Sequence, residues 1–396
     1  MLQLAHAMSL LGTETAFEVL ARAKALEAEG RSIINLGIGQ PDFRTPPHIV
    51  AAAQKALADG HHGYTPANGI LPLREVVAAD IRKRLAVDVN PDDVLIVPGG
   101  KVTMFFAIVM FGELGAEIIY PNPGFPIYES VIRFSGATPV ALPLREENGF
   151  AFDADELLGK ITPRTRLIIV NSPANPTGGV VPREQFDKLV AGLADHPRVA
   201  ILSDEIYGQM LYDGREHVSL LTYPSLRKRL ILLDGWSKTY AMTGWRLGYS
   251  IWPRALIEQA TRLAINCHSC VNAAAQYAGI AALEGPQDDV RKMVAAFAER
   301  RKVIVAELNA IPGFSCIEPG GAFYAFPNIT RSGAASRSLQ DKLLKEAGVA
   351  VLSGTSFGSF GEGYLRFSYA NSIDNIRQAA QRIRECLSTK KQAVTA

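Results

Sequence analysis

The sequence predicts an α/β protein with a large domain, in which a mainly parallel sheet is covered by helices on both faces, and a smaller α/β domain. Short apolar runs alternate with helical patterns between about residues 92 and 250, as expected for a parallel sheet. The length of 396 residues is long for one core and favours two domains. After a helical pattern at 256–283, a long helix beginning at Gln287 leads to the smaller unit, in which 320–324 (GGAFY) is predicted as a strand.

The first apolar run ends in a glycine pair. Residues 94–97 (VLIV) predict a buried strand, and Gly99, Gly100 and Lys101 then open an apolar helical stretch. Two glycines at a helix start allow backbone N–H groups to approach an anion. The spacing is not that of a P-loop. Residues 37–41 (GIGQP) are not a dinucleotide fingerprint either, because the third glycine is missing and the segment ends in a proline.

The next two predicted strands also run into polar clusters. Residues 165–170 (TRLIIV) lead into 171–179 (NSPANPTGG), and residues 199–202 (VAIL) lead into 203–208 (SDEIYG). Taken alone, the first cluster is explained by an Asx turn and Asp204 by a helix N-cap. Because ligands collect beyond the carboxyl ends of strands in α/β sheets, clusters at consecutive strands favour a bound ligand.

A lysine follows the fourth apolar run. Residues 230–233 (LILL) predict a buried strand, and Lys238 lies just beyond it within 236–246 (WSKTYAMTGWR). Desolvation or a neighbouring cation lowers the pKa of a lysine amine and leaves it nucleophilic, which suits Schiff-base formation. Arg246, eight residues further on, can hold a phosphate. A lysine with a phosphate anchor is the minimal requirement of a pyridoxal phosphate site.

The polar clusters supply the other groups that this cofactor needs. Asp204 can pair with the pyridine nitrogen and keep it protonated, which makes the ring an electron sink. Asn175 and Tyr207 can donate hydrogen bonds to the phenolate oxygen and so lower the pKa of the Schiff base. The sequence therefore predicts a pyridoxal phosphate site at one edge of the sheet.

The chain as a whole resembles the class I/II pyridoxal-phosphate-dependent aminotransferases of fold type I, and most of all their bacterial aspartate aminotransferase branch. The motifs NPTG, SDEIY, SKTYAMTGWRLG and GGAFY stand in the family's order. The likeness runs from residues 35–43 (NLGIGQPDF) to residues 364–370 (YLRFSYA), which is nearly the whole chain.

The resemblance implies a role for each site residue. Lys238 would carry the cofactor and be the catalytic residue, and Arg366 would bind the substrate α-carboxylate as a bidentate fork. Phe125 would stack on the cofactor ring, and Tyr64 would reach the phosphate from a second subunit. The implied cofactor contacts are Gly100, Lys101, Val102, Phe125, Asn175, Asp204, Tyr207, Ser237, Lys238, Arg246 and Tyr64. The implied substrate contacts are Gly39, Lys101, Asn175 and Arg366.

The activity implied by the resemblance is transfer of an amino group between an L-amino acid and a 2-oxo acid by a ping-pong mechanism, with Lys238 as general base and acid. A lyase or synthase on the same fold, such as a C–S lyase, is the alternative, because the fold alone does not separate these reactions. A third possibility is a cofactor-binding regulator. It needs a DNA-binding domain, which the short segment before Asn35 is not expected to hold.

Substrate choice is less well determined. Relatives hold the distal carboxylate of aspartate or glutamate with a lysine at the position of Lys101, which favours these substrates; the alternative is a solvated lysine at a helix start. Thr13 or Thr15 are candidates for the small hydroxyl residues that relatives use near the N-terminus. Val102 and Thr103 depart from the Gln-Ala that is usual in this branch, so alanine and aromatic amino acids stay open.

Composition disfavours several classes of partner. With a net charge of +2 and 20 % charged residues, we expect neither nucleic acid nor membrane binding. No transmembrane stretch or signal peptide is visible, so we expect a cytoplasmic protein. The four cysteines are then reduced thiols. Cys267 and Cys270 are interpreted as thiols on a long helix and no metal site is expected, because a second ligand pair is missing.

Assembly and domain limits also follow from the resemblance. It implies a homodimer with shared active sites. It further implies a large cofactor-binding domain at 43–286 and a small domain built from both chain ends, 1–42 and 287–396. The polar tail after Leu387 is predicted to be unstructured.

Overall fold

The computed structural model describes residues 2–392. The strands are β1 (Ile34–Asn35), β2 (Val94–Val97), β3 (Glu117–Asn122), β4 (Thr138–Pro143), β5 (Thr165–Asn171), β6 (Ala200–Asp204), β7 (Leu230–Gly235), β8 (Gly248–Ile251), β9 (Tyr324–Ala325), β10 (Val349–Ala350), β11 (Leu352–Ser353) and β12 (Leu365–Ser368). The α-helices are α1 (Thr15–Ala28), α2 (Pro47–Ala58), α3 (Leu71–Leu85), α4 (Lys101–Phe111), α5 (Ile127–Phe134), α6 (Ala154–Gly159), α7 (Arg183–Gly192), α8 (Trp236–Thr239), α9 (Ile257–His268), α10 (Ala273–Glu284), α11 (Asp288–Asn309), α12 (Ser336–Lys342) and α13 (Ile373–Gln392).

A seven-stranded sheet in the order β2-β8-β7-β6-β5-β3-β4 forms the centre of the molecule. The pairs β3–β4, β3–β5, β5–β6 and β6–β7 are parallel, whereas β8 runs antiparallel to both of its neighbours. The predicted fold class, a mainly parallel sheet in an α/β protein, is confirmed. All four apolar runs that the sequence analysis assigned as buried strands are β2, β5, β6 and β7 of this sheet.

Both faces of the sheet are covered, because successive side chains of a strand point to opposite sides. In β2, Val94 and Ile96 belong to one apolar core, which also takes residues of α2, α3 and α10. Leu95 and Val97 belong to another core, which takes residues of α4, α5 and α9. Every residue of β2 is completely buried, which explains why its sequence is continuously apolar rather than alternating.

Two smaller sheets lie outside the central one. Strands β1 and β10 pair in parallel, and β9, β11 and β12 form an antiparallel sheet with β12 in the middle. Side chains of β1, β9, β10 and β12 share a third apolar core with α11 and α13, whereas Leu352 of β11 packs in the first core. That core joins residues from both ends of the chain, such as Ile34, Leu36 and Leu365.

Several local predictions were wrong. The helix predicted at 256–283 is two helices, α9 and α10, because Ser269 takes a left-handed conformation at φ 61°. Cys267 therefore lies at the end of α9, and Cys270 follows it outside any helix. The strand predicted at 320–324 begins only at Tyr324, since Ala322 also has a positive φ, 57°. The chain beyond Leu387 continues helix α13 to Gln392, and the rest of the predicted unstructured tail, 393–396, lies outside the described residues.

We expect Phe297→Ala to lower the free energy of unfolding by about 3–5 kcal/mol, because the cavity forms in a core that holds distant segments together. Phe297 is fully buried, and its ring centre lies 5.5 Å from that of Phe43 and 5.2 Å from that of Phe323. Urea unfolding followed by circular dichroism measures the change. Phe360→Ala, at a side chain that is 48 % exposed, is the matched control and should cost much less; equal losses would contradict this account.

Candidate active site

Lys238 lies on α8, the single helical turn that follows the carboxyl end of β7. Its Nζ donates a hydrogen bond of 2.6 Å to the carbonyl oxygen of Gly39. The same atom lies 5.8 Å from the ring centres of Tyr207 and Phe323. Burial, and then the positive charges of two arginines, lower the lysine pKa from 10.5 to about 8. The amine predicted to be reactive is therefore held in a desolvated place.

Asp204 is the last residue of β6 and is 2 % exposed. The hydroxyl of Tyr128 donates a 2.6 Å hydrogen bond to its Oδ2, and the N–H of Ile206 donates one of 3.3 Å to its Oδ1. Burial raises the pKa of Asp204 to about 6, although both hydrogen bonds favour the charged carboxylate. A carboxylate in these surroundings is stabilised by a cationic partner. Tyr128 was missed, because an aromatic residue on a helix reads as core.

The glycine pair and Arg246 form an anion-binding cradle. Gly99 has φ +91°, and a Cβ there would lie 2.2 Å from Nη2 of Arg246. A Cβ on Gly100 would lie 2.8 Å from the Leu233 side chain, so neither glycine tolerates a larger residue without movement. Within the described part of the chain, no acceptor takes the N–H groups of Gly100 and Lys101 at the start of α4. These donors and the exposed guanidinium suit a phosphate.

Arg246 reaches this cradle from a left-handed backbone conformation at φ 54°. Its Nη1 donates to the carbonyl oxygen of Thr243 at 2.8 Å and its Nη2 to that of Pro98 at 3.3 Å. Ser237 is 8 % exposed and lies directly before Lys238 in the same helical turn, α8. Val102, by contrast, packs its side chain on the apolar core, so only its backbone faces the cradle.

Arg366, on β12, is 3 % exposed. Its Nη1 donates to Oδ1 of Asn175 at 2.9 Å, its Nη2 donates to the carbonyl oxygen of Gly37, and its Nε has no partner among the described residues. The guanidinium lies 4.5 Å from the ring centre of Tyr324 and 4.8 Å from that of Phe357. A buried guanidinium with an unused donor is suited to receive a carboxylate.

Asn175 and Tyr207 each keep a hydrogen-bond donor for the phenolate oxygen of the predicted cofactor. Asn175 uses its Oδ1 to accept from Arg366, which leaves its amide N–H groups. The hydroxyls of Tyr207 and Tyr324 lie 2.7 Å apart, so Tyr207 keeps its own proton if Tyr324 donates to it. Gly39 is required beside them, because a Cβ there would lie 2.3 Å from the Tyr324 hydroxyl. Tyr324 was read only as a strand residue in the sequence.

Lys101 has a partner that the sequence analysis did not identify. Its Nζ forms an ion pair with the carboxylate of Glu14, the residue immediately before α1, and lies 5.5 Å from the ring centre of Phe125. Thr13 and Phe125 line a cavity of ≈ 260 Å³, and the hydroxyl of Thr15 is buried without a described partner. Lys101 is thus an ion-paired lysine at the start of α4, with 42 % of its side chain exposed.

Tyr64 is not brought to this cluster. Its side chain is 95 % exposed, so a single subunit gives it no contact with the anion cradle. Among the described residues, no group of three or more histidine, cysteine, aspartate or glutamate side chains is placed to hold a metal ion. No described helix has both the length and the apolar composition that crossing a membrane requires.

Comparison with known proteins identifies the family. Residues 31–383 match the family of aminotransferases of class I and II. The chain belongs to this family. It is 40 % identical over 376 residues to an aspartate aminotransferase of Pyrococcus horikoshii, covering 94 % of each chain. It is 37 % identical over 362 residues to an aromatic-amino-acid aminotransferase of Thermococcus litoralis, covering 91 % of this chain and 92 % of the other. The structure of an aspartate aminotransferase from Rhizobium meliloti superimposes with a TM-score of 0.93 at 33 % identity, covering 98 % of this chain and 99 % of that one.

Family and structural likeness together confirm an aminotransferase of fold type I that uses pyridoxal phosphate, with an amino acid and a 2-oxo acid as substrates. The residues present fit that cofactor. The cradle at Gly100 and Arg246 matches the phosphate, and the buried carboxylate of Asp204 matches a protonated pyridine nitrogen. The desolvated amine of Lys238 matches the aldehyde.

We expect the Lys238 amine of the cofactor-free protein to titrate near pH 8, because burial and the charge of Arg366 disfavour its protonated form. A lower pKa enlarges the neutral fraction at a given pH, so Lys238 should be modified much faster than ordinary lysines at pH 8. Reductive methylation with ¹³C-formaldehyde, followed by NMR across pH 6–11, measures the pKa. The signal missing from the Lys238→Ala variant assigns the resonance; a midpoint near the usual 10.5 would contradict this assignment.

Proposed function

We propose that the protein transfers the amino group of aspartate or glutamate to a 2-oxo acid, in a ping-pong reaction at Lys238. This proposal rests on the surroundings of the Lys238 amine. It lies in a desolvated place between a buried carboxylate, Asp204, and a buried guanidinium with an unused donor, Arg366. The aspartate aminotransferases among the similar proteins support the acidic substrate.

Each residue then has a defined task. Bound pyridoxal phosphate supplies an electron sink for the bond that breaks at the substrate Cα. Arg366 would bind the α-carboxylate and thereby orient that bond, and the Nζ of Lys238 would take the proton from Cα as general base and give it back as general acid. Asp204 keeps the proton on the pyridine nitrogen, with Tyr128 holding its carboxylate in place.

The cofactor ring and phosphate would be positioned by five further residues: Asn175, Tyr207, Gly100, Ser237 and Arg246. Asn175 and Tyr207 would donate to the ring oxygen, and Phe125 would cover the ring face. The backbone N–H groups of Gly100 and Lys101 would hold the phosphate, together with the hydroxyl of Ser237 and the guanidinium of Arg246. The N–H of Val102 already donates to the carbonyl oxygen of Gly99 at 3.1 Å, so Val102 supports the turn rather than the phosphate itself. Gly39 accepts from Lys238 and borders the substrate position.

An amino-donor panel tests the proposal. We expect aspartate and glutamate to convert the bound cofactor to its pyridoxamine form, because transamination leaves the amino group on the cofactor, whereas a C–S lyase releases pyruvate and ammonia and keeps the aldehyde. The absorbance of the cofactor distinguishes these outcomes in a half-reaction. Lys238→Ala is the control and should lose turnover entirely. Release of a thiol, pyruvate and ammonia from a cysteine thioether added to the panel, with no pyridoxamine form from aspartate or glutamate, would replace the proposal with the lyase.

A second candidate substrate class is alanine or aromatic amino acids. The ion pair between Lys101 and Glu14 favours it, because a lysine already neutralised by a carboxylate attracts a second carboxylate less strongly. The similar aromatic-amino-acid aminotransferase supports the same class. The donor panel ranks these substrates against aspartate in one experiment.

We also propose that the protein works in the cytoplasm as a homodimer with shared active sites. Tyr64, which the family resemblance places at the phosphate of a second subunit, is 95 % exposed in the single chain and is therefore free to reach a partner. We further propose a large domain at 43–286 and a small domain at 1–42 and 287–396. The central sheet, which falls within the first range, and the third core, which joins both chain ends, support this division.

Mixing two variants with different defects tests the shared site. If Tyr64 crosses to the neighbouring cofactor, a hybrid of a Tyr64→Phe subunit and a Lys238→Ala subunit has one intact site, and half of the wild-type activity should return. If Tyr64 acts within its own chain, neither site is intact. Activity of the hybrid, compared with each parent homodimer, decides between them. An active monomer in sedimentation would overturn the dimer itself.

A further inference from the structure

Glu14 lies beside Lys101, the lysine predicted to meet the substrate side chain, and nothing in the sequence motifs points to it. Its carboxylate pairs with the Nζ of Lys101, and its side chain is only 14 % exposed. The lysine keeps 42 % of its side chain exposed. The carboxylate is thus the more enclosed half of the pair, and Lys101 is the half that can reach a ligand.

The segment that carries Glu14 forms part of a cavity wall. Leu10, Gly12 and Thr13 line the ≈ 260 Å³ cavity together with Phe125. The N–H of Gly12 donates to the Ser130 hydroxyl at 2.9 Å, which ties the segment to α5. Glu14 is therefore fixed in place by its neighbours rather than exposed on a free N-terminus.

The charge of Glu14 reaches the catalytic groups as well as Lys101. The negative charge of Glu14 acts to raise the pKa of Lys238 and of Arg366, where it opposes the larger effect of burial. It also acts to raise the pKa of Tyr324, where burial works in the same direction. A carboxylate that acts on all three lies on the substrate side of the site. Because it already pairs with Lys101, a second carboxylate of a substrate would have to compete with it for that ammonium.

We propose, resting on the aminotransferase function above, that Glu14 sets the substrate range by acting as an internal counter-ion of Lys101. With an uncharged substrate side chain, the ion pair stays closed and the side-chain position carries no net charge. A dicarboxylic substrate must draw Lys101 away from Glu14 and bind beside the carboxylate that it displaces. Glu14 thus lowers the advantage of aspartate and glutamate over neutral amino acids and admits both classes.

The net charge at the substrate side-chain position predicts how four proteins rank in selectivity: the wild type, two single variants and the double variant. Glu14→Gln leaves Lys101 uncompensated and gives a positive position, whereas Lys101→Met leaves Glu14 uncompensated and gives a negative one. The wild type and the double variant are neutral. Selectivity for a second carboxylate should therefore be highest in Glu14→Gln, intermediate in the wild type and the double variant, and lowest in Lys101→Met.

Two measurements on the holoenzyme test this order. The first is the ratio of kcat/KM for aspartate to that for alanine. The second is calorimetric binding of succinate and of butyrate, which have four carbons each and differ in one carboxylate, and which need no turnover. We expect Glu14→Gln to raise both selectivities about tenfold and Lys101→Met to lower them about ten- to a hundredfold, the usual range for gain or loss of one charge-assisted contact.

Glu18→Gln is the matched control, since Glu18 lies one turn along α1 with its side chain 51 % exposed and should leave both selectivities unchanged. An unchanged or lower selectivity in Glu14→Gln overturns the proposal, as does an equal shift in Glu18→Gln. If the wild type transaminates no amino donor, the proposed function fails, and the succinate and butyrate affinities still decide the role of Glu14.

Discussion

The parallel register of the central strands is the constraint on which the site depends. Strands β5, β6 and β7 run side by side in the same direction, so their carboxyl ends meet at one edge of the sheet. Asn171 is paired with Asp204 across that edge, and Asp204 with Leu233. The loops that follow therefore deliver Asn175 and Lys238 to positions beside Asp204, although these residues are far apart in sequence. A strand reversed or shifted by one residue would turn the carboxylate into the core.

Desolvation gives this edge its chemistry. The same burial that lowers the pKa of Lys238 raises that of Asp204, so an amine and a carboxylic acid both titrate closer to neutrality than they do in water. Each buried charge is accompanied by a specific group: Tyr128 donates to Asp204, and Asn175 accepts from Arg366. Among the described residues, the Nε of Arg366 has no hydrogen-bond acceptor, and a substrate carboxylate can supply one.

The sequence predicts the groups that follow strands and misses those that come from elsewhere. Four apolar runs with polar ends were enough to find Asn175, Asp204 and Lys238, because strand direction alone brings such ends together. Tyr128 reaches the site from helix α5 and Glu14 from the residue just before helix α1, and the local sequence pattern of both is ordinary. Tertiary packing alone places them there, so no local signal identifies them. The break at Ser269 was missed for a related reason: a single left-handed residue interrupts an otherwise continuous helical pattern.

Arg366 connects the central sheet with the smaller ones. It lies on β12, yet it donates to Asn175 beyond the end of β5 and to the carbonyl of Gly37 just after β1. Tyr324 of β9 also connects a smaller sheet with the central one, because its hydroxyl lies 2.7 Å from that of Tyr207. Because these contacts are polar and directional, they fix the distance between the α-carboxylate position and Lys238. Arg366 is thus held by groups from the central sheet and from the smaller sheets, whereas Asp204 and Lys238 both lie at the edge of the central sheet.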